Sequence, residues 1–251
     1  MTSDPASSTA ATTNPADAIV GIVVALPEEL STLTRRKIAP GECAQMGSLW
    51  LAYAGAGCQN ATNAAQALLN KGANRLLSWG CAAGLSAEAK PGDLLIPSQV
   101  VTADHRYDTD ESWRRQVIQA LGTALAIHSG PLFTSANLIG ASQDKQTIHQ
   151  RSQAAALDME SAAIAEVAIQ ARVPFLAIRT VADPVSMDLP QAVQQALNPH
   201  GQVELSRLLR YLCGHPWEVT GLIQLGLHFH AAQKTLKIVA RQLWGSTLDQ
   251  S

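Results

Sequence analysis

The residues most able to do chemistry are three carboxylates, Glu29, Glu160 and Asp183. Each follows an apolar stretch of the kind that forms a buried strand. In open α/β sheets, ligands bind beyond the carboxyl ends of the strands, so these acids are expected to meet at one edge. Each also has a structural interpretation: Glu29 and Glu160 as charges in a first helical turn, and Asp183 as a turn residue before Pro184.

Other reactive groups give no pattern that points to a metal or redox centre. The four cysteines show no CxxC spacing and are expected to be reduced thiols. His228 and His230 are two residues apart and would not share a helix face. The Gly-rich segments 55–57 and 80–84 are predicted tight turns without the spacing of phosphate-binding loops. We therefore expect no metal and no cofactor.

Alternating strand and helix patterns must position the three acids. Short apolar runs, of which 19–25 is rich in β-branched residues, predict strands, and several of the segments between them predict helices. The predicted strands cover 19–25, 49–54, 76–80, 93–101, 132–135, 156–158 and 175–182. Helices are predicted from Pro27, from a cap at Asn60, over 112–127 and 161–172, and from Pro190 to 244. This order predicts an α/β fold with a single domain, a mixed, mainly parallel twisted sheet flanked by helices, and a helical C-terminal extension.

Length and charge limit the classes of function. The chain has 251 residues and a formal net charge of −2, which suits one catalytic domain and gives no basic surface for nucleic acid. Residues 1–18, rich in Ser, Thr, Ala and Pro, are expected to be a disordered leader. Residues 19–213 would form the catalytic domain, and 214–251 a helical extension. No apolar run has the length needed to span a membrane. The reduced thiols lead us to expect a cytoplasmic location.

Several segments together resemble a known family. ALPEEL, WGCAAGL followed by PGDLLIP, LDMESAAIA and RTVADP resemble the purine nucleoside phosphorylase and methylthioadenosine/S-adenosylhomocysteine nucleosidase superfamily along residues 19–186. The later segment ADPVSMDLPQAVQQALNPHGQ, with the helical tail, is similar to hopanoid-associated nucleoside phosphorylases. The resemblance implies a nucleoside phosphorylase-like fold, homo-oligomers and cleavage of a purine N-glycosidic bond. The subtype implies release of adenine from adenosylhopane, a lipid-linked nucleoside; the alternatives are a methylthioadenosine/S-adenosylhomocysteine nucleosidase and a general purine nucleoside phosphorylase.

The resemblance also implies roles for individual residues. Asp183 matches the acid that donates a proton to purine N7, and Glu29 matches the carboxylate that activates the attacking water. Glu160 matches the carboxylate that holds the ribose hydroxyls, and Met159 the residue under the sugar. Arg179 matches a basic residue near the acid.

The pocket departs from that of the nucleosidases at several positions. Ala82 and Ala83 match the turn whose backbone faces the base and sugar, but Cys81 replaces a serine there. Leu138 stands where the nucleosidases have an aromatic residue that stacks on the base. Ala182 replaces the serine before the acid, so a hydroxyl that would orient Asp183 is missing.

Two questions stay open at the sequence level. Glu29 argues for water as the nucleophile, because a carboxylate repels phosphate, whereas the subtype suggests phosphate as a co-substrate held by Arg106 or Arg179. The tail carries Lys234, Lys237 and Arg241 among apolar residues, which fits either a core helix or a basic amphipathic helix on an anionic membrane. A non-catalytic nucleoside-binding protein and a structural protein are the non-enzyme alternatives.

Overall fold

The computed structural model describes residues 18–196 and 204–248. The strands are β1 (Val20–Val24), β2 (Cys43–Met46), β3 (Leu49–Tyr53), β4 (Arg75–Gly84), β5 (Leu94–Leu95), β6 (Gln99–Val101), β7 (Arg106–Asp108), β8 (Ile127–His128), β9 (Leu132–Thr134), β10 (Ala156–Asp158) and β11 (Phe175–Asp183). The helices are α1 (Pro27–Leu30), α2 (Cys58–Asn70), α3 (Glu111–Leu121), α4 (Ser142–Ser152), α5 (Ser161–Ala171), α6 (Gln191–Ala196), α7 (Leu205–Gly214) and α8 (Val219–Leu248).

The strands form one mixed sheet with β4 at its centre. Its path runs β2-β3-β1-β4-β10-β9-β6-β7, and β11 pairs with both β4 and β5. The pairs β1–β3, β1–β4 and β4–β11 are parallel, whereas β10 runs antiparallel to β4. This confirms the predicted single α/β domain with a mixed sheet flanked by helices.

Apolar layers cover both faces of the sheet because strand side chains point alternately to opposite faces. Ile22 joins the layer that α1, α3 and α8 cover, and Val23 joins the layer that α2 and α5 cover. Gly21 explains how closely α2 approaches, since a Cβ there would lie 3.0 Å from the Cβ atoms of Leu68 and Ala73.

Two of the predicted boundaries next to the acids are wrong. The turn predicted at 81–84 is strand, because β4 continues to Gly84 and pairs with both β10 and β11 over this stretch. Asn60 does not cap α2, which begins at Cys58 after Gly57; the Asn60 amide donates instead to the Ala56 carbonyl, at 2.9 Å.

Other boundaries also differ from the prediction. The strand predicted over 93–101 is two strands, β5 and β6, interrupted around Pro97, whose nitrogen cannot donate to a ladder. The helix predicted over 112–127 ends at Leu121, and residues 127 and 128 form β8. The strands β2 and β7 and the helix α4 were not predicted.

The described residues after β11 form mainly the helices α6, α7 and α8, and α8 packs on the domain. One face of α8 is buried against β11 and β4 through Ala232, Leu236, Val239 and Ala240. The Thr235 hydroxyl donates to the Gly92 carbonyl at 2.7 Å. None of the helices in the described ranges is both long and apolar enough to cross a membrane. The predicted leader at 1–18 lies almost wholly outside the described residues.

Candidate active site

Glu29 lies at the junction of α1 and β4. As predicted, Pro27 begins α1, and this places the Glu29 side chain in the first turn. Its Oε2 accepts hydrogen bonds from the Leu26 and Ala25 amides at 3.0 and 3.3 Å, which caps the helix. Its Oε1 accepts from the Cys81 amide of β4 at 2.7 Å. The carboxylate is buried, and it therefore both caps the helix and reaches the centre of the sheet.

Glu160 lies at the turn from β10 to α5. Its Oε1 accepts from the Gly57 amide at 2.9 Å, and its Oε2 from the Met159 amide at 3.3 Å. Met159 is half-buried, and its carbonyl accepts from the Cys58 thiol. The N-terminal end of α2 is thereby joined to the end of β10 around the Glu160 carboxylate.

Arg179 does not contact Asp183, near which it was predicted to lie. Its guanidinium, buried in β11, donates to Asp158 at 2.9 Å and to the Ser78 hydroxyl at 2.7 Å. Asp158 is itself buried and also accepts from the hydroxyls of Thr134 and Ser161. Along an extended strand, four residues place Arg179 far from Asp183, and the nearer acid at the end of β10 binds it instead.

More acidic than basic side chains surround the guanidinium of Arg179. The three buried carboxylates Asp158, Glu29 and Glu160 all interact electrostatically with this one guanidinium. Burial raises the pKa of Glu29, with Arg179 opposing it. Burial and then the charge of Asp158 raise the pKa of Glu160 to about 7. When these acids are ionised, their negative charge exceeds the positive charge of the guanidinium and stabilises a cation that forms beside them.

Asp183 ends β11 and has a different partner. The ammonium of Lys145, from α4, forms a very short ion pair with Asp183 Oδ2. Burial raises the pKa of Asp183, whereas the charge of Lys145 and that of His228 lower it. The acid thus lies apart from the Arg179 cluster, in a setting that helps a carboxyl to hold a proton.

The second half of β4 connects these groups. Ala83 is paired with Leu157 of β10 on one side and with Asp183 of β11 on the other. Ala82 is buried, and Ala83 is half-buried. Leu138, in the connection from β9 to α4, is 46% exposed. The backbone predicted to face a base and sugar therefore runs between the ends of the two strands that carry the acids.

Sequence reasoning missed Lys145 and the Arg179–Asp158 pair. Ala182 in place of a serine signals that the acid needs another partner, but nothing in the polar pattern of α4 indicates a buried lysine. Asp158 is a buried structural acid. Arg106, a predicted phosphate ligand, is exposed on β7.

Sequence comparison identifies a family. The model of the family described as the phosphorylase superfamily matches residues 19–210. A comparison of the sequence with curated proteins gives no significant match.

Solved structures of nucleosidases share the fold. A methylthioadenosine/S-adenosylhomocysteine nucleosidase from Helicobacter pylori is 19% identical, with a TM-score of 0.64 over 92% of this chain and 98% of that chain. Futalosine hydrolase from the same organism is 18% identical, with a TM-score of 0.65 over 95% and 100%. The nucleosidase from Neisseria meningitidis, in complex with methylthio-immucillin-A, is 20% identical, with a TM-score of 0.66 over 89% and 97%.

Proposed function

The chain belongs to the phosphorylase superfamily, and from this we propose that it is an enzyme that cleaves the N-glycosidic bond of a purine nucleoside. The observation that carries the proposal is the separation of charge around β4. Three buried carboxylates share one guanidinium, and a fourth, Asp183, lies apart from that cluster. Loss of a purine leaves a cationic sugar and a base that needs a proton, and this arrangement serves both.

The proposed reaction assigns one task to each acid. Asp183 donates its proton to N7 as the bond between C1′ and N9 breaks, and the bonding electrons leave with the base. Glu160 binds the ribose hydroxyls, and its charge faces the developing cation. Glu29 accepts a proton from water as the water oxygen bonds to C1′. We propose water rather than phosphate because Glu29 adds to the excess of negative charge, which repels an anion.

Replacement of the acid tests this proposal. Asp183→Asn keeps the shape of the side chain but removes the proton, so purine release is expected to fall about 10²–10⁴-fold. Release is followed by absorbance on adenosine, methylthioadenosine and adenosylhopane, with and without phosphate. Asp104→Asn, at an exposed position, is the matched control and is expected to retain the parental rate.

Each outcome of this assay has a clear meaning. Retention of most of the turnover by Asp183→Asn contradicts its role as the acid. Binding of nucleosides without release by the parent protein favours a nucleoside-binding protein. Strict dependence on phosphate, with a sugar phosphate as product, favours a phosphorylase and overturns the role of Glu29.

We further propose that the substrate is an adenine nucleoside linked to a lipid, as in adenosylhopane. The resemblance of residues 182–202 to hopanoid-associated phosphorylases supports this, and so does the exposed face of α8. Helical rotation of about 100° per residue places Val219, Ile223 and Leu227 in line with the three basic residues of the tail. All six side chains are exposed. Methylthioadenosine and S-adenosylhomocysteine are the alternative substrates, and the same assay compares them.

The exposed face of α8 suits an anionic membrane surface. Ile223 and Leu227 are 60 and 66% exposed, and such side chains insert at the boundary between headgroups and acyl chains. Lys234, Lys237 and Arg241 would contact lipid phosphates. His228, on the same helix, acts electrostatically on Asp183. A membrane bound to this helix would therefore lie close to the candidate active site. A lipid substrate could then pass from that membrane into the site.

A further inference from the structure

Lys145 is a buried cation with a defined set of partners. It lies on α4, a helix whose other side chains are mostly polar and are exposed or half-buried, yet its own side chain is completely buried. Its Nζ donates to Asp183 Oδ2, to the Met187 carbonyl at 2.9 Å and to the Pro184 carbonyl at 3.3 Å. An ammonium has three N–H donors, and all three are used. Lys145 therefore has no donor left for a substrate.

Burying an ammonium costs free energy unless charge and hydrogen bonds compensate it. Here the compensation comes from the proposed acid and from the two carbonyls that follow it in the chain. The one contact fixes the Asp183 carboxylate, and the other two fix the backbone on which it lies. A residue that served only the fold of α4 would not need the acid as its counterion.

We propose that Lys145 is the positioning residue for Asp183: it fixes the orientation of the acid and weakens its hold on the proton that is delivered to the purine. The inference rests on the proposed function, in which Asp183 is the general acid. Lys145 takes the place of the hydroxyl that Ala182 lacks. It acts through Asp183 and does not contact the base.

The groups around Asp183 explain why a nearby positive charge is needed to limit the rise in its pKa. Burial raises the pKa of Asp183, and an acid that holds its proton too strongly is a poor donor. Lys145 from α4 and His228 from α8 are the groups that oppose this rise. The thiol of Cys81, in β4, also interacts with Asp183, and burial raises its pKa, so it stays neutral and adds no charge. Removal of Lys145 is expected to raise the pKa of Asp183 further.

The test is the pH dependence of kcat/KM for purine release by Lys145→Met and Lys145→Arg. In the parent enzyme, activity is expected to fall at high pH as Asp183 loses its proton. In Lys145→Met the pH at which activity falls is expected to be about one unit or more higher, because the positive charge beside Asp183 has been removed. The plateau of kcat is expected to be about 10–100-fold lower because the acid is misplaced, with little change in KM.

The remaining variants separate positioning from folding. Lys145→Arg keeps the charge, so its activity is expected to fall at the parental pH. Lys145→Gln can still donate to the carbonyls, which favours folding. Its activity should fall at a higher pH than that of the parent, as in Lys145→Met. Gln146→Met, exposed on the same helix, is the matched control and should behave as the parent.

The outcomes are distinct from those that test the proposed function. A folded Lys145→Met or Lys145→Gln whose activity falls at the parental pH overturns the inference, because Lys145 then only supports the fold. The inference would also be overturned if kcat/KM depended on pH in the same way in Lys145→Arg and in Lys145→Met. Activity in Asp183→Asn would instead overturn the proposed function.

Discussion

Glu160 combines a proposed functional role with a cost to the fold. Its carboxylate is buried beside Asp158, and these two effects raise its pKa from an ordinary value of 4.5 to about 7. The folded protein therefore binds this proton more tightly than the unfolded chain does. The stability that the proton provides is present below about pH 4.5 and is lost as the pH rises to about 7.

We expect Glu160→Gln to stabilise the protein above pH 7 while it lowers activity. The amide oxygen can still accept from the Gly57 amide, and no charge is left buried. The free energy of unfolding at pH 8 should rise by about 1–3 kcal/mol relative to the parent, with a smaller gain at pH 4.5. Urea unfolding at both values measures this, and purine release should fall in the same variant. An equal effect on stability at the two pH values would show that ionisation of Glu160 is not the cause.

Among the strands and helices, β4 is the element that connects the parts of the candidate site. It is the strand on which β1, β10 and β11 converge, and Glu29 reaches it through the Cys81 amide. Gly80 lies where this side chain crosses the strand. A Cβ at Gly80 would collide with the Glu29 carboxylate and would lie 2.8 Å from Nη1 of Arg179. The absence of a side chain at Gly80 is thus required for the packing of the two charged groups.

Gly80→Ala is therefore expected to displace Glu29 and to reduce purine release about 10–100-fold, because small displacements at an active site have large effects on rate. It should also destabilise the fold by about 1–3 kcal/mol through overpacking. Gly226→Ala is the matched control, since nothing lies within 4 Å of a Cβ at that helical position. It should stabilise α8 by about 0.5–1 kcal/mol. A fully active Gly80→Ala would show that the position of Glu29 is not critical.

How far the sequence predicts these elements depends on what encodes them. Apolar runs predict β1, β3 and β11 well, because the apolar residues of these strands are themselves the signal for a buried strand. The second half of β4 was mistaken for a turn, since its small residues match a turn composition and its strand pairing comes from distant β10 and β11. Helix α4 has only a weak apolar face, so neither the helix nor its buried lysine could be predicted locally.

The three acids were predicted from their places after apolar strands, but their partners were not. Asp183 was assigned to the neighbourhood of Arg179, from the same strand. The structure pairs it with Lys145, 38 residues earlier in the chain. Such pairs are fixed by tertiary packing, and periodicity within one strand or helix does not encode them.

At the scale of the whole molecule, charge is unevenly distributed. Residues 204–248 contain five Lys or Arg and two Asp or Glu, a net charge of +3, although the complete chain carries −2. The basic side chains of α8 lie along its exposed face, opposite the buried residues that fix the helix to the sheet. The two interpretations of the tail are therefore compatible, because one face of α8 packs on the core while the other is available to a membrane.

Co-sedimentation with liposomes tests the membrane proposal. The full chain is expected to bind vesicles that contain anionic lipid, and replacement of Lys234, Lys237 and Arg241 by Glu should abolish binding, since each basic residue contributes about 1 kcal/mol near such a surface. Ile223→Ser with Leu227→Ser should weaken binding even at low salt, because apolar insertion is lost. Salt should weaken binding by the parent chain, as it screens the lipid charge. Glu166→Lys, exposed on α5 on the opposite face of the sheet, provides a charge-changing control away from α8. Purine release from adenosine should be unchanged in the Glu variant. If the parent chain stays in the supernatant at low salt, α8 serves only as a core helix, and a lipid substrate must reach the acids by another route.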